Sequence, residues 1–222
     1  MLDALNVAFD APRARAGAGD APRVLAIIDH LDAPSSWLVA ALLGTRCDAP
    51  QATVCVAVDR APRELVALAR KVAKGSARDG ARRAMDAGSR AVEGARRAHG
   101  TGETLASNRA CVIIDGVDAL APTASGDGAL EKFLDDVYAL DDALDVIVCA
   151  HGDVGAARGW LADVADCVVR LEPLKTGSAE DVHGACETTH RTNAFRAEGR
   201  ARRTRARYAV SELGVKITVA ST

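Results

Sequence analysis

The apolar residues of this 222-residue chain are concentrated in short runs, separated by amphipathic or polar stretches. Wholly apolar runs of this length are typical of strands that are covered on both faces. Such runs predict buried strands at 24–28, 52–59, 110–115, 144–153 and 166–174. Later runs alternate between apolar and polar residues, as an antiparallel strand with one solvated face does, at 182–191, 206–212 and 214–220.

Helical spacing of apolar residues fills the intervals between the predicted strands. A helix is expected from about Ser35 to Leu43, and a second begins with Pro62 in its first turn. An amphipathic stretch at 126–140 and a short segment around Trp160 predict two more helices. Alternation of strands and helices followed by hairpins predicts an α/β fold with a mostly parallel, doubly wound sheet and antiparallel carboxyl-terminal strands.

Composition divides the chain into a lead-in and one domain. Residues 1–23 combine a short apolar segment with a stretch rich in Ala, Pro, Gly and Arg, which predicts a flexible lead-in before a domain over 24–222. Apolar residues make up 49% of the chain and aromatic residues only 3%, so the core must consist mainly of aliphatic side chains. The arginine- and glycine-rich region at 75–105 and the segment at 192–205 predict mobile loops.

The cysteines favour a reducing compartment. None of the six forms a C-x-x-C pair, and four of them lie in apolar strand-like runs: Cys55, Cys111, Cys149 and Cys167. They therefore read as small buried hydrophobes. We find neither a secretory leader pattern in the first 20 residues nor an apolar stretch approaching the roughly 20 residues of a membrane span. The expected location is intracellular, without a membrane partner.

The junction of the first strand and helix is where many α/β proteins bind a phosphate. A P-loop places G-x-x-x-x-G-K-[ST] there, but this turn offers Asp29, His30, Asp32 and Pro34 and holds neither glycine nor lysine. The segment "GTGET" at 100–104 has glutamate where the lysine should stand. "CVIID", ending at Asp115, resembles a Walker B strand, although apolar residues before an aspartate are common in α/β proteins.

Polar residues follow several of the predicted strands, and the carboxyl ends of parallel strands share one edge of a sheet. The residues expected at that edge are Asp29, His30, Asp32, Asp59, Asp115, Asp118, His151 and Asp153. They leave three hypotheses open: nucleotide hydrolysis, a metal-dependent hydrolase that uses these Asp and His side chains, and a non-catalytic nucleotide-binding fold retained for assembly. No metal-ligand spacing is strong, since His183 and His190 would lie on opposite faces of one strand.

The stretch "VVRLEPLKTGSAEDVHGACETTHR" favours the third of these hypotheses, the non-catalytic fold retained for assembly. It is similar to a segment of the Elongator complex subunit 6 family, in which a strand ends in a turn before Thr-Gly and then Asp-Val-His-Gly. The matching positions are Pro173, Leu174, Thr176, Gly177, Asp181, Val182, His183 and Gly184. Weaker similarities to the same family occur earlier in the chain, in the family's own order, at 32–39, 112–120 and 146–154. Residues 75–105 have no match in the family.

The resemblance implies a RecA-like three-layer fold without Walker A chemistry, and hence a pseudo-ATPase rather than an enzyme, with no cofactor. It implies assembly with Elongator subunits 4 and 5 into a hetero-hexameric ring that binds tRNA and supports wobble-uridine modification in the cytoplasm and the nucleus. The catalytic Elongator subcomplex is then an indirect partner. The metal-dependent hydrolase stays the alternative. The resemblance assigns no catalytic residue.

An arginine-rich run at 190–208 is the best candidate for contact with RNA, because clustered arginines neutralise phosphates without reading sequence. The candidate nucleic-acid-binding residues are Arg196, Arg200, Arg202, Arg203, Arg205 and Arg207. Phe195 and Tyr208 flank the run and are expected to stack on bases.

Overall fold

The computed structural model describes all eight predicted strands and two helices. The described residues are 24–47, 53–72, 110–119, 132, 144–152, 161, 165–177, 179, 181–190, 202–211 and 214–219. The chain divides into two compact units, one formed by residues 1–35 and 150–222 and the other by residues 36–149. In the described residues the architecture is mixed α/β, with mostly parallel strands followed by antiparallel carboxyl-terminal strands.

The unit of residues 36–149 contains parallel strands and two helices. Its strands are β2 (Thr53–Ala57), β3 (Ala110–Asp115) and β4 (Leu144–His151), whose last two residues belong to the other unit. They pair in the order β2-β3-β4, and one row of the register runs through Cys55, Ile113 and Ile147, all of them buried. β3 and β4 are buried along most of their described length, whereas β2 is fully buried only at Cys55, and nearly every residue of the three strands is apolar, as the sequence predicts.

The helices of this unit are α1 (Ser36–Cys47) and α2 (Pro62–Val72), which pack against each other. α1 is buried almost all round, with Leu38, Val39 and Leu43 fully covered, as expected of a helix with little polar surface. α2 is amphipathic and buries Leu65 and Ala69, one helical turn apart, while its Pro62 occupies the first turn.

The unit of residues 1–35 and 150–222 begins with one parallel pair and ends in an antiparallel sheet. β1 (Val24–Asp29) runs parallel to β5 (Cys167–Pro173). Asp166 fixes this pair at its start, since its carboxylate accepts the Val24 N–H at 3.1 Å and its own N–H donates to the Val24 carbonyl at 3.0 Å. Antiparallel strands continue the sheet in the order β5, β6 (Gly184–His190), β7 (Arg202–Ser211) and β8 (Gly214–Val219).

The prediction of an α/β fold with mostly parallel strands and antiparallel carboxyl-terminal strands is confirmed, and all eight predicted strands are present with ends shifted by a few residues. One boundary is wrong: residues 202–205, predicted to belong to a mobile loop, form the first half of β7. Thr204 and Ala206 point inward and Arg203 and Arg205 outward, so the strand period is present. The inward-facing residues are small, so the apolar half of the alternation is hard to recognise in a sequence stretch dominated by arginines. Residues 1–23, 75–105, 192–201 and Trp160, together with all of 126–140 except Lys132, lie outside the described residues.

The prediction that the strand cysteines are small buried hydrophobes is confirmed. The free thiols of Cys55, Cys111, Cys149 and Cys167 are buried, as is that of Cys186. Burial raises the pKa of Cys167 to about 12 and that of Cys186 to about 11, so both thiols are protonated at neutral pH. In the part of the chain that the structure describes, neither helix is long and apolar enough to cross a membrane.

Candidate functional site: the strand ends and the β6–β8 sheet

The turn between β1 and α1 is organised around the buried side chain of Asp29. The Asp29 carboxylate accepts the backbone N–H of Ser35, the residue just before α1, at 2.6 Å. Its other oxygen accepts the Nδ1–H of His151 at 2.5 Å. Only 2% of the Asp29 side chain is exposed. A carboxylate of the chain itself therefore takes up an N–H at the position where a P-loop would offer its N–H groups to a phosphate.

The tip of this turn is short and folded on itself. The Ala33 N–H donates to the His30 carbonyl at 2.8 Å, which closes a tight turn. The Asp32 N–H donates to Nδ1 of His30 at 3.1 Å, and the same nitrogen lies 3.8 Å from the Asp32 carboxylate. Leu31 projects from the tip with 64% of its surface exposed, the most of any large hydrophobic residue in the described ranges.

The carboxyl end of β4 is joined to the carboxyl end of β1. Besides the contact between the His151 and Asp29 side chains, the Gly152 N–H donates to the Asp29 carbonyl at 2.7 Å. A Cβ on Gly152 would lie 2.9 Å from a methyl carbon of Ile28, so the absence of a side chain permits this approach. Asp29 thus uses its main chain and both carboxylate oxygens to hold the turn.

A second buried carboxylate, that of Asp115 at the end of β3, is paired with an arginine. Nη1 of Arg60 lies 2.6 Å from Oδ1 of Asp115, whose side chain is fully buried. Nη2 of Arg60 is 3.7 Å from the Asp59 carboxylate. In a Walker B strand the corresponding aspartate helps to hold Mg²⁺. Here a guanidinium of the same chain supplies the positive charge.

The backbone around Asp115 leaves little room for variation. Its carbonyl accepts N–H groups from Val58 at 3.0 Å and Asp59 at 3.3 Å. Gly116 follows with φ of 75°, and a Cβ there would collide with Cβ of Asp59. Only glycine meets both requirements, because the left-handed region and the close approach each exclude a side chain.

A pocket of about 410 Å³ adjoins Arg60 in the unit of residues 36–149. Its lining combines Ser36 with residues of α2 and the preceding turn: Arg60, Glu64, Leu65, Ala67 and Leu68. Arg60 is the single basic residue in that lining, and its guanidinium is already bonded to Asp115. The one positive charge in the pocket lining is therefore already paired, which makes the pocket a poor binding site for an anion.

The structure brings the predicted strand-end residues together in two groups, one in each unit. Asp29, His30, Asp32 and His151 belong to one unit, and Asp59, Asp115 and Asp118 belong to the other, whereas Asp153 lies outside the described residues. Across the described ranges, no three His, Cys, Asp or Glu side chains are arranged to hold a metal ion. Arg60 was missed by sequence reasoning, although its place directly after Asp59 at a strand end was the available signal.

The family-signature residues shape the connection from β5 to β6. Gly177 adopts φ of 82° in a turn closed by its N–H to the Leu174 carbonyl at 3.0 Å, and Val182 exchanges two backbone hydrogen bonds with Ala179. Thr176 and Asp181 are exposed. Gly177 and Val182 therefore have a physical role in the local folding of this connection.

His183 and Gly184 then align β7 on β6. Nδ1 of His183 accepts the Val210 N–H at 2.9 Å, and the His183 N–H donates to the Tyr208 carbonyl at 2.8 Å. A Cβ on Gly184 would lie 2.5 Å from Oη of Tyr208, so the phenol ring occupies the space of the missing side chain. The expectation that Tyr208 stacks on bases is wrong, because packing on Gly184 leaves it only 3% exposed. Phe195 lies outside the described residues.

Of the predicted RNA-binding arginines, Arg203, Arg205 and Arg207 project from the exposed face of β7. The residue Arg202 begins that strand, while Arg196 and Arg200 lie outside the described residues. Nε of Arg205 donates to the Glu187 carboxylate of β6 at 2.6 Å. Sequence reasoning missed Glu187, since only the strand register shows that it faces Arg205.

These features define an α/β protein with a RecA-like fold. The chain resembles the crystal structure of a KaiC-like protein from the hyperthermophilic archaeon Pyrococcus horikoshii OT3, with a TM-score of 0.56 and 11% identity over 90% of this chain and 89% of that one. It also resembles the flagellar accessory protein FlaH from Methanocaldococcus jannaschii, with a TM-score of 0.55 and 14% identity over 91% and 93%. Neither a family model nor a curated protein sequence matches the chain. At these identities the similarity shows the fold alone.

Proposed function

We propose that this chain is a non-catalytic RecA-like subunit of the Elongator complex, which assembles with subunits 4 and 5 into a hetero-hexameric ring in the cytoplasm and the nucleus. The ring binds tRNA and supports modification of its wobble uridine. The observation that carries the non-catalytic part is the buried Asp29 carboxylate, which accepts the Ser35 N–H in the turn between β1 and α1.

A comparison of two electrostatic energies supports the proposal that this carboxylate disfavours nucleotide binding. A phosphate at a helix N-terminus gains at most about 2 kcal/mol from the helix dipole. A carboxylate about 4 Å from that phosphate repels it by roughly 4 kcal/mol per unit charge at an effective dielectric constant of about 20. Repulsion exceeds attraction, and the turn contains no lysine that would reverse the balance.

The pair of Arg60 and Asp115 supports the same conclusion from the other unit. A Mg²⁺ ion would have to displace a guanidinium that lies 2.6 Å from a fully buried carboxylate. Breaking such a pair by removal of one partner typically costs about 3–5 kcal/mol. The carboxylate is thus already neutralised without a metal.

Assembly with related subunits is supported by the signature at 173–184 and by the tip of the β1–α1 turn. Leu31 is held outward by the tight turn of His30 and Ala33, and the neighbouring Asp32 side chain is 80% exposed. A rigid turn that presents an apolar side chain loses little conformational entropy on binding, which favours its use as an anchor in a protein interface. tRNA binding is supported by the exposed arginines of β7.

Isothermal titration of the purified chain with ATP–Mg²⁺ tests the non-catalytic part. We expect no heat of binding at nucleotide concentrations up to about 1 mM, which corresponds to a binding free energy weaker than about −4 kcal/mol. Micromolar binding, or ATP hydrolysis that Asp115→Asn abolishes, would overturn it.

Reconstitution with Elongator subunits 4 and 5 tests the assembly. We expect light scattering after gel filtration to show one species with two copies of each chain, and we expect Leu31→Ser to weaken it. Val219→Ser, at the other exposed large hydrophobic residue of the described ranges, is the matched control and should leave assembly unchanged. A chain that never co-elutes with the two subunits would refute the proposed function.

A further inference from the structure

The exposed face of the antiparallel sheet carries a row of basic side chains in a fixed register. Residues two apart on a strand share a face, which places Arg203, Arg205 and Arg207 on one side of β7 at about 7 Å intervals. Lys216 of β8 lies opposite Ala209 and belongs to the same side. All four are exposed, whereas Ala206 and Tyr208 on the other side of β7 are buried.

Two acids lie on this side of the sheet: Glu187 of β6, beside Arg205, and the exposed Glu172 of β5, which is in register with Arg207 through Ala185. Glu187 of β6 lies in register between Arg170 of β5 and Arg205 of β7. Its carboxylate accepts Nε–H of Arg205 at 2.6 Å, and this hydrogen bond raises the pKa of Arg205 above its usual value. Glu187 is 21% exposed and Arg205 76% exposed, so the pair lies at the surface with the acid against the sheet. Arg203 faces Thr189 and Arg207 faces Ala185, neither of which is acidic.

We propose that Glu187 holds the place of a phosphate on an RNA-binding face formed by β6, β7 and β8. The face binds the RNA backbone through Arg203, Arg207 and Lys216, while Glu187 occupies Arg205 and keeps the affinity below what four cations would give. The choice of RNA as partner rests on the proposed function. The assignment of roles within the face rests on the register and on the Glu187–Arg205 contact.

Charge favours a phosphate backbone as the partner. Two of the four cations, Arg203 and Arg207, are about 13 Å apart along one strand, and Lys216 lies one strand away. A linear array of this kind matches a partner with charge repeated along its length. Sequence-tolerant affinity with a steep dependence on salt is the expected signature.

Fluorescence anisotropy with a labelled tRNA transcript, measured from 50 to 300 mM salt on both the purified chain and the reconstituted ring, tests the proposal. Glu187→Gln releases Arg205 and should tighten binding about fivefold at 0.1 M salt, with a salt slope steeper by about 0.7–0.9, the value of one further phosphate contact. Arg203→Gln and Arg207→Gln should each weaken binding by a similar factor. Arg63→Gln, at an exposed arginine of α2, is the charge-matched control and should change nothing.

The decisive comparison uses Arg205. Arg205→Gln should remove the whole gain in the Glu187→Gln background and return the affinity to that of the wild-type chain. In the wild-type chain the same substitution leaves the Glu187 carboxylate without Arg205 and should weaken binding. A gain from Glu187→Gln that survives in the double variant would overturn the role of Glu187 in occupying Arg205. Circular dichroism melting of each variant separates a binding effect from misfolding.

Two further outcomes distinguish this inference from the proposed function. If polyglutamate binds as tightly as tRNA and responds to the same substitutions, the face is a dock for an acidic protein and the inference fails. If the ring assembles and binds tRNA but Glu187→Gln and Arg203→Gln leave the affinity unchanged, the proposed function stands without this inference. If the substitutions act as expected on a chain that never joins the ring, the proposed function fails and this inference stands.

Discussion

Asp29 and His151 form a 2.5 Å hydrogen bond that joins the carboxyl ends of β1 and β4. The same carboxylate accepts the Ser35 N–H at 2.6 Å, so two donors share one buried anion. Charge-assisted hydrogen bonds of this kind are roughly twice as strong as those between neutral groups. Asp29 therefore holds the turn in which a P-loop protein would bind phosphate.

Asp29→Asn tests this role by removing one acceptor. Asparagine offers one oxygen where aspartate offers two, so either Ser35 or His151 would face an NH₂ group. We expect the free energy of unfolding, measured with urea, to fall by about 1–3 kcal/mol. Asp32→Asn, at an 80% exposed side chain in the same turn, should stay within about 0.5 kcal/mol of wild type. Equal losses at the two positions would contradict this account.

Arg60→Met should destabilise the chain strongly. It leaves the fully buried Asp115 carboxylate without its cation, and loss of one partner of a buried pair costs about 3–5 kcal/mol. Arg63→Met, at an exposed position of α2, provides the control. Adding Asp115→Asn to Arg60→Met should cost less than Asp115→Asn does alone, because the stranded charge is then gone. Strict additivity of the two substitutions would show that the pair is not coupled.

Gly184→Ala should destabilise the sheet through Tyr208. The new Cβ would lie 2.5 Å from Oη and 2.7 Å from Cζ of that ring, and overpacking of this kind costs about 1–3 kcal/mol. In a Tyr208→Ala background most of this penalty should disappear.

Gly177→Ala is the comparison for the Gly184 experiment. Gly177 has φ of 82°, and a Cβ at this position would meet open space. The loss of stability in Gly177→Ala, roughly 1–2 kcal/mol, therefore comes from the backbone alone. That cost should be the same with and without Tyr208. A Gly184→Ala penalty that persists in the Tyr208→Ala background would show that the ring does not set it.

The sequence predicts strands better than side-chain partners, and the reason lies in the range of each signal. Runs such as Val24–Asp29 and Ala110–Asp115 are local patterns, and the structure contains both. The bond between Asp29 and His151 joins residues 122 positions apart, and that between Arg60 and Asp115 spans 55. Strand order decides which residues meet over such distances. Local patterns place Asp115 at a strand end but not Arg60 beside it.

The arginines of β7 are a second case in which a local sequence pattern does not determine the structure. A cluster of like charges predicts a solvated loop, yet pairing with β6 and β8 turns it into a strand because Ala206 and Tyr208 are buried on its inner side. The register then gives Arg205 a partner in Glu187 and leaves Arg203 opposite Thr189. Tertiary pairing outweighs local composition here.

The buried thiols of Cys167 and Cys186 make stability depend on alkaline pH. Burial raises their pKa values from 9.0 to about 12 and about 11, so the folded chain holds these protons where the unfolded chain releases them. Their contribution is present in full below pH 9 and is lost as the pH rises toward 11–12, by an amount on the order of a few kcal/mol.

Urea unfolding at pH 8 and at pH 10 measures this loss. Cys167→Ala should show a smaller fall in the free energy of unfolding between the two pH values than wild type, because one of the shifted groups is gone. The titrations of other side chains are common to both proteins and cancel in the difference. The native thiol of Cys167 should also resist a thiol-specific reagent at pH 8 until urea unfolds the chain, since the thiolate is the reactive form. Identical pH dependence of wild type and Cys167→Ala, with a rapidly modified native thiol, would contradict the burial of this group.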